Sequence, residues 1–300
     1  MISVVIPTHD RADLLERAIK SVQLQTWVDL EIIVVSDGSK DNTKMVVEKL
    51  AEQDERIKFS EYFPAKGGNF ARNTGIELAR GEVVAFLDDD DEFMPEKLKQ
   101  QMEIMQKDSQ IGLVYTGVRV IYVDEGVEYI SKPRLQGDLS KEILLGNCIG
   151  STSTVMVRKD ILLQAGMFDI NLRALQDFDL WIRICQLCKV GFVSETMINY
   201  YNYSGAKQIS ALTDKYVEAF EYINNKYKNL IEALPIDKQT KKKNNELLSL
   251  SNLAMRNGHG KIARTFIKKA IKEKFNKKAI AYYFLSYLSY REVLKIRARR

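Results

Sequence analysis

The chain begins with short apolar runs that alternate with segments of helical periodicity, and this alternation limits its fold more than any other feature. Continuous apolar runs at residues 2–6, 32–35 and 83–87 are typical of strands that are buried on both faces. Apolar residues recur at helical spacing after the first two runs, and again over residues 69–80, before the third. The alternation predicts an α/β fold, with a mostly parallel sheet flanked by helices.

Residues at the ends of the helical patterns predict where the helices begin and end. Asp10 and Asp41 precede the first two helices, at positions where a short acidic side chain caps free backbone N–H groups. Gly81 follows the third helical pattern and is a candidate C-terminal cap. Further along, the periodicity predicts a helix over residues 177–187 and a short strand over residues 190–193.

Charge is distributed unevenly along the chain. Residues 236–300 hold 18 Lys and Arg against 4 Asp and Glu, a net charge of +14, whereas the rest of the chain has a net charge of −9. This C-terminal part is helical in pattern and rich in lysine, with breaks at Pro235 and at residues 257–260. We therefore predict an α/β domain over residues 1–210 and a basic helical region over residues 211–300.

Nothing in the sequence predicts secretion or a membrane span. No basic leader precedes the first predicted strand. The longest weakly polar stretch, residues 279–290, is shorter than the about 20 apolar residues that a bilayer requires. Cys185 and Cys188 have metal-site spacing, but they fall in a helical pattern and only Cys148 remains besides them, which favours core packing. These features predict a cytoplasmic protein.

Polar residues follow three of the predicted strands, at the point where each strand ends. Residues 7–11 (PTHDR) follow the first strand, residues 36–39 (SDGS) the second, and residues 88–91 (DDDD) the strand at 83–87. Ligands of open α/β sheets bind outside the carboxyl ends of the strands. We therefore expect these three clusters to form one binding site.

The four successive aspartates predict a divalent cation. Their charges would repel one another strongly without a cation or hydrogen bonds, and all-oxygen ligation selects Mg²⁺ or Mn²⁺, which commonly share their shell with phosphates. In an extended chain Asp88 and Asp90 would converge while Asp89 points away. A solvated acidic turn that caps the helix near Pro95 is the alternative. Because no glycine-rich phosphate loop is present, the cation would neutralise much of a diphosphate, with Arg72 placed to help.

Four segments in this order resemble a known enzyme family. Residues 3–8 (SVVIPT), 35–39 (VSDGS), 71–75 (ARNTG) and 86–91 (FLDDDD) are similar to the family 2 glycosyltransferases with the GT-A fold, over roughly residues 1–210. The resemblance implies a nucleotide-sugar donor, commonly a UDP-sugar, a divalent metal, and transfer with inversion. It also implies that residues 1–100 bind the donor and residues 101–210 the acceptor.

The resemblance assigns residues to the nucleotide base. Pro7 and Thr8 would flank the base, and His9 would form a wall of its pocket. Asp37 would accept a hydrogen bond from the uracil ring.

The diphosphate and the metal are assigned in the same way. Arg72 would lie near the diphosphate or the base. Asp88 and Asp90 match the family's D-x-D element, with Asp88 towards the ribose and Asp90 on the Mn²⁺ or Mg²⁺ ion. Asp89, between them, is counted with the donor-binding residues.

A later segment resembles the family's acceptor side. Residues 166–169 (GMFD) and 176–183 (QDFDLWIR) are similar to a stretch in which the Asp after a Glu acts as general base, and that Asp is Asp177 here. An inverting displacement needs one carboxylate within reach of the acceptor hydroxyl. Asp179 is the rival base, or it pairs with Arg183 one helical turn later.

This chain departs from the family pattern at two places. Gln176 stands where relatives often have Glu, so an acidic role at that position is lost. Many relatives also have a metal- or phosphate-binding His, but residues 201–210 (YNYSGAKQIS) contain none. Metal binding would then depend more on Asp90 and the diphosphate, or Lys207 would contact phosphate.

The predicted function is transfer of a sugar from a nucleotide diphosphate donor, with a UDP-sugar as the expected donor, to a glycan or lipid-linked acceptor in cell-envelope or capsular polysaccharide synthesis. One alternative is a catalytically inactive nucleotide-sugar-binding or scaffold subunit. Another is a sugar-phosphate nucleotidyltransferase, although the G-x-G-x-R sequence of that class is absent after the first strand.

The basic region permits two interpretations. Residues 236–300 would make a peripheral contact with anionic lipid at the inner face of the cell membrane. Alternatively, they would form a helical hairpin packed on the catalytic domain or on a second subunit. No recognition motif accompanies the charge, so nucleic acid is not a predicted partner.

Overall fold

The computed structural model describes residues 1–203, 213–275 and 277–298. Strands and helices alternate through its N-terminal half, and helices make up its C-terminal part. The strands are β1 (Ile2–Thr8), β2 (Leu30–Asp37), β3 (Ile57–Tyr62), β4 (Val83–Phe86), β5 (Glu92–Phe93), β6 (Ile111–Tyr122), β7 (Val127–Ser131), β8 (Met156–Arg158) and β9 (Lys189–Asn202). The helices of the first part are α1 (Ala12–Gln23), α2 (Thr43–Ala51), α3 (Gly68–Leu78), α4 (Lys97–Lys107), α5 (Lys159–Gln164) and α6 (Gln176–Cys185). Those that follow are α7 (Thr213–Lys226), α8 (Lys228–Glu232), α9 (Ile236–Arg256), α10 (Gly260–Glu273), α11 (Lys277–Leu285) and α12 (Tyr290–Ala298).

All of the strands belong to one sheet with the order β3-β2-β1-β4-β8-β6-β9-β5, and β7 pairs with β6. Strands β1 to β4 are parallel to one another. β8 then runs antiparallel to both β4 and β6, and β6 pairs with β9 in parallel. The predicted α/β fold is confirmed, and the parallel pairing that the strand–helix alternation predicts holds in the N-terminal half.

The apolar strands are buried on both faces of the sheet. Val5 and Ile33 contribute to the core on one face, which contains α3 and α6. Val4 and Ile32 contribute to the core on the other face, with α1 and α4. Because successive side chains of a strand point to opposite faces, a strand covered on both sides is apolar at every position.

Two predicted helix caps are wrong. The N–H of Ala12, the first residue of α1, donates to Asp41 at 2.9 Å, while Asp10 instead accepts the N–H of Lys40 at 2.6 Å. α3 ends at Leu78, before Gly81, and Ala79 is already extended. A cap supplied by another loop has no local sequence signal, which explains the first error.

The predicted strand over residues 190–193 is the beginning of a longer one. β9 extends over 14 residues, from Lys189 to Asn202. Pairing along the whole length of β6 stabilises it, although its own alternation is irregular.

The C-terminal helices pack against the α/β core. Phe220 and Ile223 of α7 and Leu250 of α9 belong to the same buried cluster as the sheet. The predicted breaks are present, since α9 begins directly after Pro235 and α10 begins at Gly260. The predicted boundary near residue 210 lies outside the described residues, and the division into two domains stays a prediction.

Two further predictions concern the packing of the cysteines and the presence of a membrane span. Cys185 is buried and Cys188 packs against the same core cluster, as predicted, and all three cysteines are free. No helix in the described part of the chain combines the length and the apolar character that crossing a membrane requires.

Candidate active site

Residues 88–91 form a tight turn at the carboxyl edge of the sheet. β4 ends at Phe86, and the N–H of Asp91 donates to the carbonyl of Asp88 at 3.0 Å. The chain is therefore folded into a turn there and is not extended as expected. Asp89 nevertheless points away from the side on which Asp88 and Asp90 are exposed, and the four carboxylates differ in their partners.

Asp89 points into the protein, where its two oxygens have partners from the end of β1. Thr8 donates its hydroxyl to Asp89 at 2.7 Å, and Arg11 donates at 2.9 Å. Asp89 is only 4% exposed. Thr8, predicted to flank the base, thus directs its hydroxyl towards Asp89, and Asp89 itself is turned away from solvent. A direct contact of either residue with the donor stays a prediction.

Asp91 is the most deeply buried carboxylate of the turn. It accepts the hydroxyl of Ser153 at 2.6 Å and the N–H of Tyr201 at 3.3 Å. Burial, with the neighbouring Asp90 and Asp88, raises the pKa of Asp91 well above its usual range. Asp91 therefore joins the turn to the rest of the fold.

Asp88 and Asp90 are partly exposed towards Asp177, in the space between them that is called the cleft below, and each lies beside an arginine. Arg72 donates to Asp88 at 2.6 Å, and Arg11 donates to Asp90 at 3.0 Å. The Asp88 and Asp90 side chains retain 25% and 14% of their exposure, enough for contact with a ligand. Burial and the charges of Asp88 and Asp89 raise the pKa of Asp90 to about 6. The two arginines leave part of this negative charge uncompensated.

The cleft-facing carboxylates have the donor chemistry of Mg²⁺ or Mn²⁺ ligands. Within residues 1–203, 213–275 and 277–298, no group of three or more His, Cys, Asp or Glu side chains is arranged to hold a metal ion. A cation at the turn would thus take one or two carboxylates from the chain and complete its shell with phosphate oxygens and water, as Mg²⁺ commonly does. The residues fit a cation that is held jointly with a diphosphate.

Asp37 organises the loop that leads into α3. Its two carboxylate oxygens accept the N–H groups of Lys66 and Gly67 at 2.6 and 2.8 Å. Gly38 follows with φ +69°, and a Cβ there would lie 2.8 Å from the backbone nitrogen of Ala65, so this close approach requires glycine. Asp37 is buried, and its predicted hydrogen bond to a base stays a prediction.

Of the remaining predicted base-pocket residues, His9 adjoins Asp37 and Pro7 does not. His9 is half-exposed, and its Nδ1 lies 2.6 Å from the carbonyl oxygen of Asp37. Pro7 is buried in β1 opposite Val35 of β2. The structure thus brings His9 and Asp37 together at the ends of adjacent strands, while Pro7 lies within the sheet.

Asp177 lies in the first turn of α6 and is half-buried. One carboxylate oxygen accepts the N–H of Phe178 at 2.7 Å, and the other accepts the side-chain amide of Asn147 at 3.3 Å. Burial raises the pKa of Asp177 to about 6, with Arg72 opposing and Asp88 reinforcing the rise. Asp177 therefore lies close enough to Arg72 and Asp88 for their charges to affect its ionisation.

Asp179, the rival base, is buried in the core, where other side chains contact both of its carboxylate oxygens. It is fully buried, and Arg183 donates to one of its oxygens at 2.6 Å. Lys226 lies 2.9 Å from its other oxygen, which also accepts the Tyr227 hydroxyl at 2.7 Å. The predicted ion pair with Arg183 is present, and it is part of a larger network that joins α6 to α7.

Several side chains around the carboxylates were missed by sequence reasoning. For Arg11 the sequence did indicate a place in the site, because this residue follows the first strand within the polar cluster of residues 7–11. Nothing in the sequence indicated Thr152, Ser153 or Asn147, because they reach the site from a loop that is far away in the chain. Lys207 and residues 204–210 of the stretch that lacks the family's His lie outside the described residues.

The fold and the acidic turn can be compared with the class that the sequence resembles. An acidic turn at the strand ends, with a further carboxylate near it, is what the resemblance to the family 2 glycosyltransferases implies. The sequence profile of glycosyl transferase family 2 matches residues 3–164, and the chain belongs to this family.

Curated relatives support the family at the level of sequence. An uncharacterised glycosyltransferase of Haemophilus influenzae is 28% identical over 237 residues, which cover 77% of this chain and 79% of the relative. One of Rickettsia typhi is 31% identical, with 66% and 63% covered. A Campylobacter jejuni enzyme, GalNAc(5)-diNAcBac-PP-undecaprenol beta-1,3-glucosyltransferase, is 48% identical over 105 residues, 34% of this chain and 33% of the enzyme. The chain thus spans less than two-thirds of the length of the latter two relatives.

Solved structures show the same fold at low sequence identity. The S. aureus TarS fragment 1–349, in complex with UDP-GlcNAc, is 17% identical with a TM-score of 0.60, covering 97% of this chain and 91% of that one. The mannosyltransferase PcManGT of Pyrobaculum calidifontis, in complex with GDP-Man and Mn²⁺, is 15% identical with a TM-score of 0.63, covering 99% and 86%. The predicted GT-A fold is therefore confirmed.

Proposed function

We propose that this protein transfers a sugar, with inversion, from a nucleotide diphosphate to a hydroxyl group of an acceptor. The observation that carries the proposal is the position of Asp177, a partly exposed carboxylate close to the Arg72–Asp88 ion pair. A donor held at the acidic turn would present its sugar towards Asp177. Family membership favours glycosyl transfer over nucleotidyl transfer.

The chemistry assigned to the chain divides between the two sides of the cleft. Asp177 would accept the proton of the acceptor hydroxyl as that oxygen attacks the anomeric carbon, since a carboxylate with a pKa near 6 is ionised at neutral pH. Arg72 would stabilise negative charge on the departing diphosphate. Asp90, with Asp88, would hold Mn²⁺ or Mg²⁺, which when bound neutralises the same diphosphate.

Donor and acceptor are proposed by likeness to relatives. TarS has been crystallised with UDP-GlcNAc and with UDP, which favours a UDP-sugar, whereas PcManGT contains GDP-Man and Mn²⁺. The undecaprenol-linked acceptor in the name of the Campylobacter enzyme favours a lipid-linked acceptor and a role in cell-envelope glycan assembly. The sugar would be a hexose or an N-acetylhexosamine.

Thermal shift with a panel of nucleotide sugars tests the donor proposal. We expect a UDP-sugar with Mn²⁺ to raise Tm by several degrees, because a donor present at about 100 Kd stabilises the folded state by about 2.7 kcal/mol. UDP-sugar without Mn²⁺ and Mn²⁺ without nucleotide are the controls. Stabilisation by GDP-sugars alone would replace the UDP assignment, and stabilisation without any donor turnover would favour the inactive-subunit alternative.

A second proposal concerns the basic C-terminal surface. Phe284 and Tyr287, at the end of α11 and in the turn after it, are 68% and 63% exposed. The Tyr283 and Tyr287 rings lie 5.7 Å apart, and the Arg264 guanidinium lies 4.3 Å from the centre of the Tyr287 ring. Aromatic side chains beside lysines and arginines suit the headgroup region of an anionic membrane. We propose that this aromatic patch, defined by Tyr283, Phe284 and Tyr287, contacts such a membrane.

Vesicle flotation tests the aromatic patch. We expect the double variant Phe284→Ser/Tyr287→Ser to lose most of its binding to phosphatidylglycerol-containing vesicles, because it removes apolar area and leaves the charge unchanged. Val28→Ser, at a 74% exposed apolar residue between α1 and β2, is the matched control and should still float. Equal flotation of the double variant and the wild type, or no flotation of the wild type, contradicts the proposal.

A further inference from the structure

One loop connects the donor carboxylates with the proposed base. At its C-terminal end, Thr152 donates its hydroxyl to Asp88 at 3.0 Å, and Ser153 donates to Asp91 at 2.6 Å. At its N-terminal end, the side-chain amide of Asn147 donates to Asp177 at 3.3 Å. Residues 147–154, the connecting loop, therefore contact carboxylates on both sides of the cleft.

The orientation of the Asn147 amide follows from its own partners. Its Oδ1 accepts the N–H groups of Ile149 and Gly150 at 3.1 and 2.9 Å. Two backbone donors on one side of the amide require the oxygen there, so the NH₂ group must lie on the other side. That side faces the Asp177 carboxylate and, at 3.2 Å, the carbonyl oxygen of Gly150. Asn147 can therefore present only a donor to Asp177.

The connecting loop is also attached to the helix that carries Asp177. The indole N–H of Trp181, which is fully buried one turn further along α6, donates to the carbonyl of Gly150 at 3.0 Å. Gly150 has φ +111°, a backbone conformation that residues with a side chain rarely adopt. The loop and α6 are thus held together at two points, and Asn147 has little freedom relative to Asp177.

We propose that Asn147 is a positioning residue for Asp177, holding its carboxylate in the orientation that receives the acceptor proton. The inference rests on the proposed role of Asp177 as the base. With Asn147 on one oxygen and the N–H of Phe178 on the other, the carboxylate cannot rotate freely, yet each oxygen keeps a lone pair for the acceptor. The amide also stabilises the ionised form of Asp177, which is the form that accepts a proton.

The variant Asn147→Asp separates this role from a structural one. It keeps the oxygen that accepts the N–H groups of Ile149 and Gly150, so the turn is retained, but it replaces the donor to Asp177 by a second carboxylate. We expect kcat to fall by about 10- to 100-fold, the range for losing a hydrogen bond to a charged group, with KM for the donor unchanged. Asn171→Asp is the matched control, because Asn171 is exposed and its amide donates to Asp169, outside the cleft.

The pH profile is the second measurement. Arg72 from α3, Asp88 from the acidic turn and Tyr216 from α7 are the charged and titratable groups that interact with Asp177. Because Asp177 must be ionised to act as a base, wild-type kcat should fall as the pH drops through about 6. A new carboxylate beside Asp177 raises its pKa, so in Asn147→Asp this acid limb should move to higher pH.

The outcomes distinguish the inference from the proposed function. An Asn147→Asp variant with kcat within twofold of the wild type and an unmoved acid limb overturns the positioning role. The same holds for Asn147→Ala if its kcat is unchanged while its Tm falls, which would show a structural role only. If Asp177→Asn itself remains active, the proposed base is wrong and the inference fails with it.

Discussion

An Asp177→Asn variant will lose transfer activity by roughly 10²- to 10⁴-fold while it still binds the nucleotide sugar, which is the contribution expected of a general base. Asparagine has nearly the same shape but cannot accept the proton of the acceptor hydroxyl. The donor contacts proposed for Arg72, Asp88 and Asp90 are left intact. Steady-state kinetics gives the rate, and calorimetric titration with donor and Mn²⁺ gives the affinity.

Stability should distinguish the base from its neighbour on the same helix. The folded state raises the pKa of Asp177, so ionisation of this group at neutral pH opposes folding, and Asp177→Asn should not lower Tm. Asp179→Asn is the matched control: it removes a fully buried charge that faces Arg183 and Lys226, at a cost on the order of 3 kcal/mol. We expect the Asp179 variant to unfold at a lower temperature but to keep its activity per folded molecule. Retained turnover in Asp177→Asn, or loss of chemistry only in Asp179→Asn, would assign the base elsewhere.

The part of the site that was predictable from the sequence depends on local patterns. β1, β2 and β4 are apolar at nearly every position because both faces of the sheet are covered, so their ends were evident in the sequence. Once the strand ends are known, parallel pairing brings His9, Asp37 and residues 88–91 to one edge. No contact had to be known for this step.

The turn at residues 88–91 shows what local patterns cannot reveal. Its shape depends on Thr8 of β1, on Arg11 just before α1 and on Ser153 from the connecting loop, which are 62 or more residues away in the chain. An isolated run of aspartates would be extended by repulsion, whereas these partners allow it to fold into a turn. The capping of α1 by Asp41 and the length of β9 were missed for the same reason, because the stabilising partners are distant in sequence.

The choice between the two candidate bases also depends on partners that are distant in sequence. Asp177 and Asp179 are two residues apart on one helix, and their sequence surroundings are similar. Only the fold shows that Lys226 at the end of α7 and Tyr227 directly after it contact Asp179, while Asp177 is left partly exposed. The preference for Asp177 in the sequence analysis came from the family resemblance, and the structure adds a physical reason for it.

Asp90→Asn should abolish the dependence of transfer activity and of donor binding on a divalent metal. In the wild type we expect EDTA to stop transfer and Mn²⁺ to restore it. The variant should show no additional donor-induced Tm shift when Mn²⁺ is added, and its kcat should fall by roughly 10²- to 10³-fold, the range for losing one electrostatic contact to developing charge. Arg11 alone does not neutralise the negative charge around Asp90, so this carboxylate attracts a cation. The neutral amide of asparagine is a poor ligand for a hard cation.

Asp10→Asn is the control that isolates the ligand role of Asp90 from a general change in charge. Asp10 lies at the same edge of the sheet and is exposed, and its bond to the N–H of Lys40 survives the substitution because asparagine keeps the accepting oxygen. Both variants remove one negative charge at this edge of the sheet, so a loss that reflects only long-range attraction of the metal should appear in both. If Asp10→Asn reproduces the loss, the effect is electrostatic and not coordination. If Asp90→Asn keeps a Mn²⁺-dependent rate, or the wild type is fully active in EDTA, then the acidic turn acts through Arg11 and Arg72 alone.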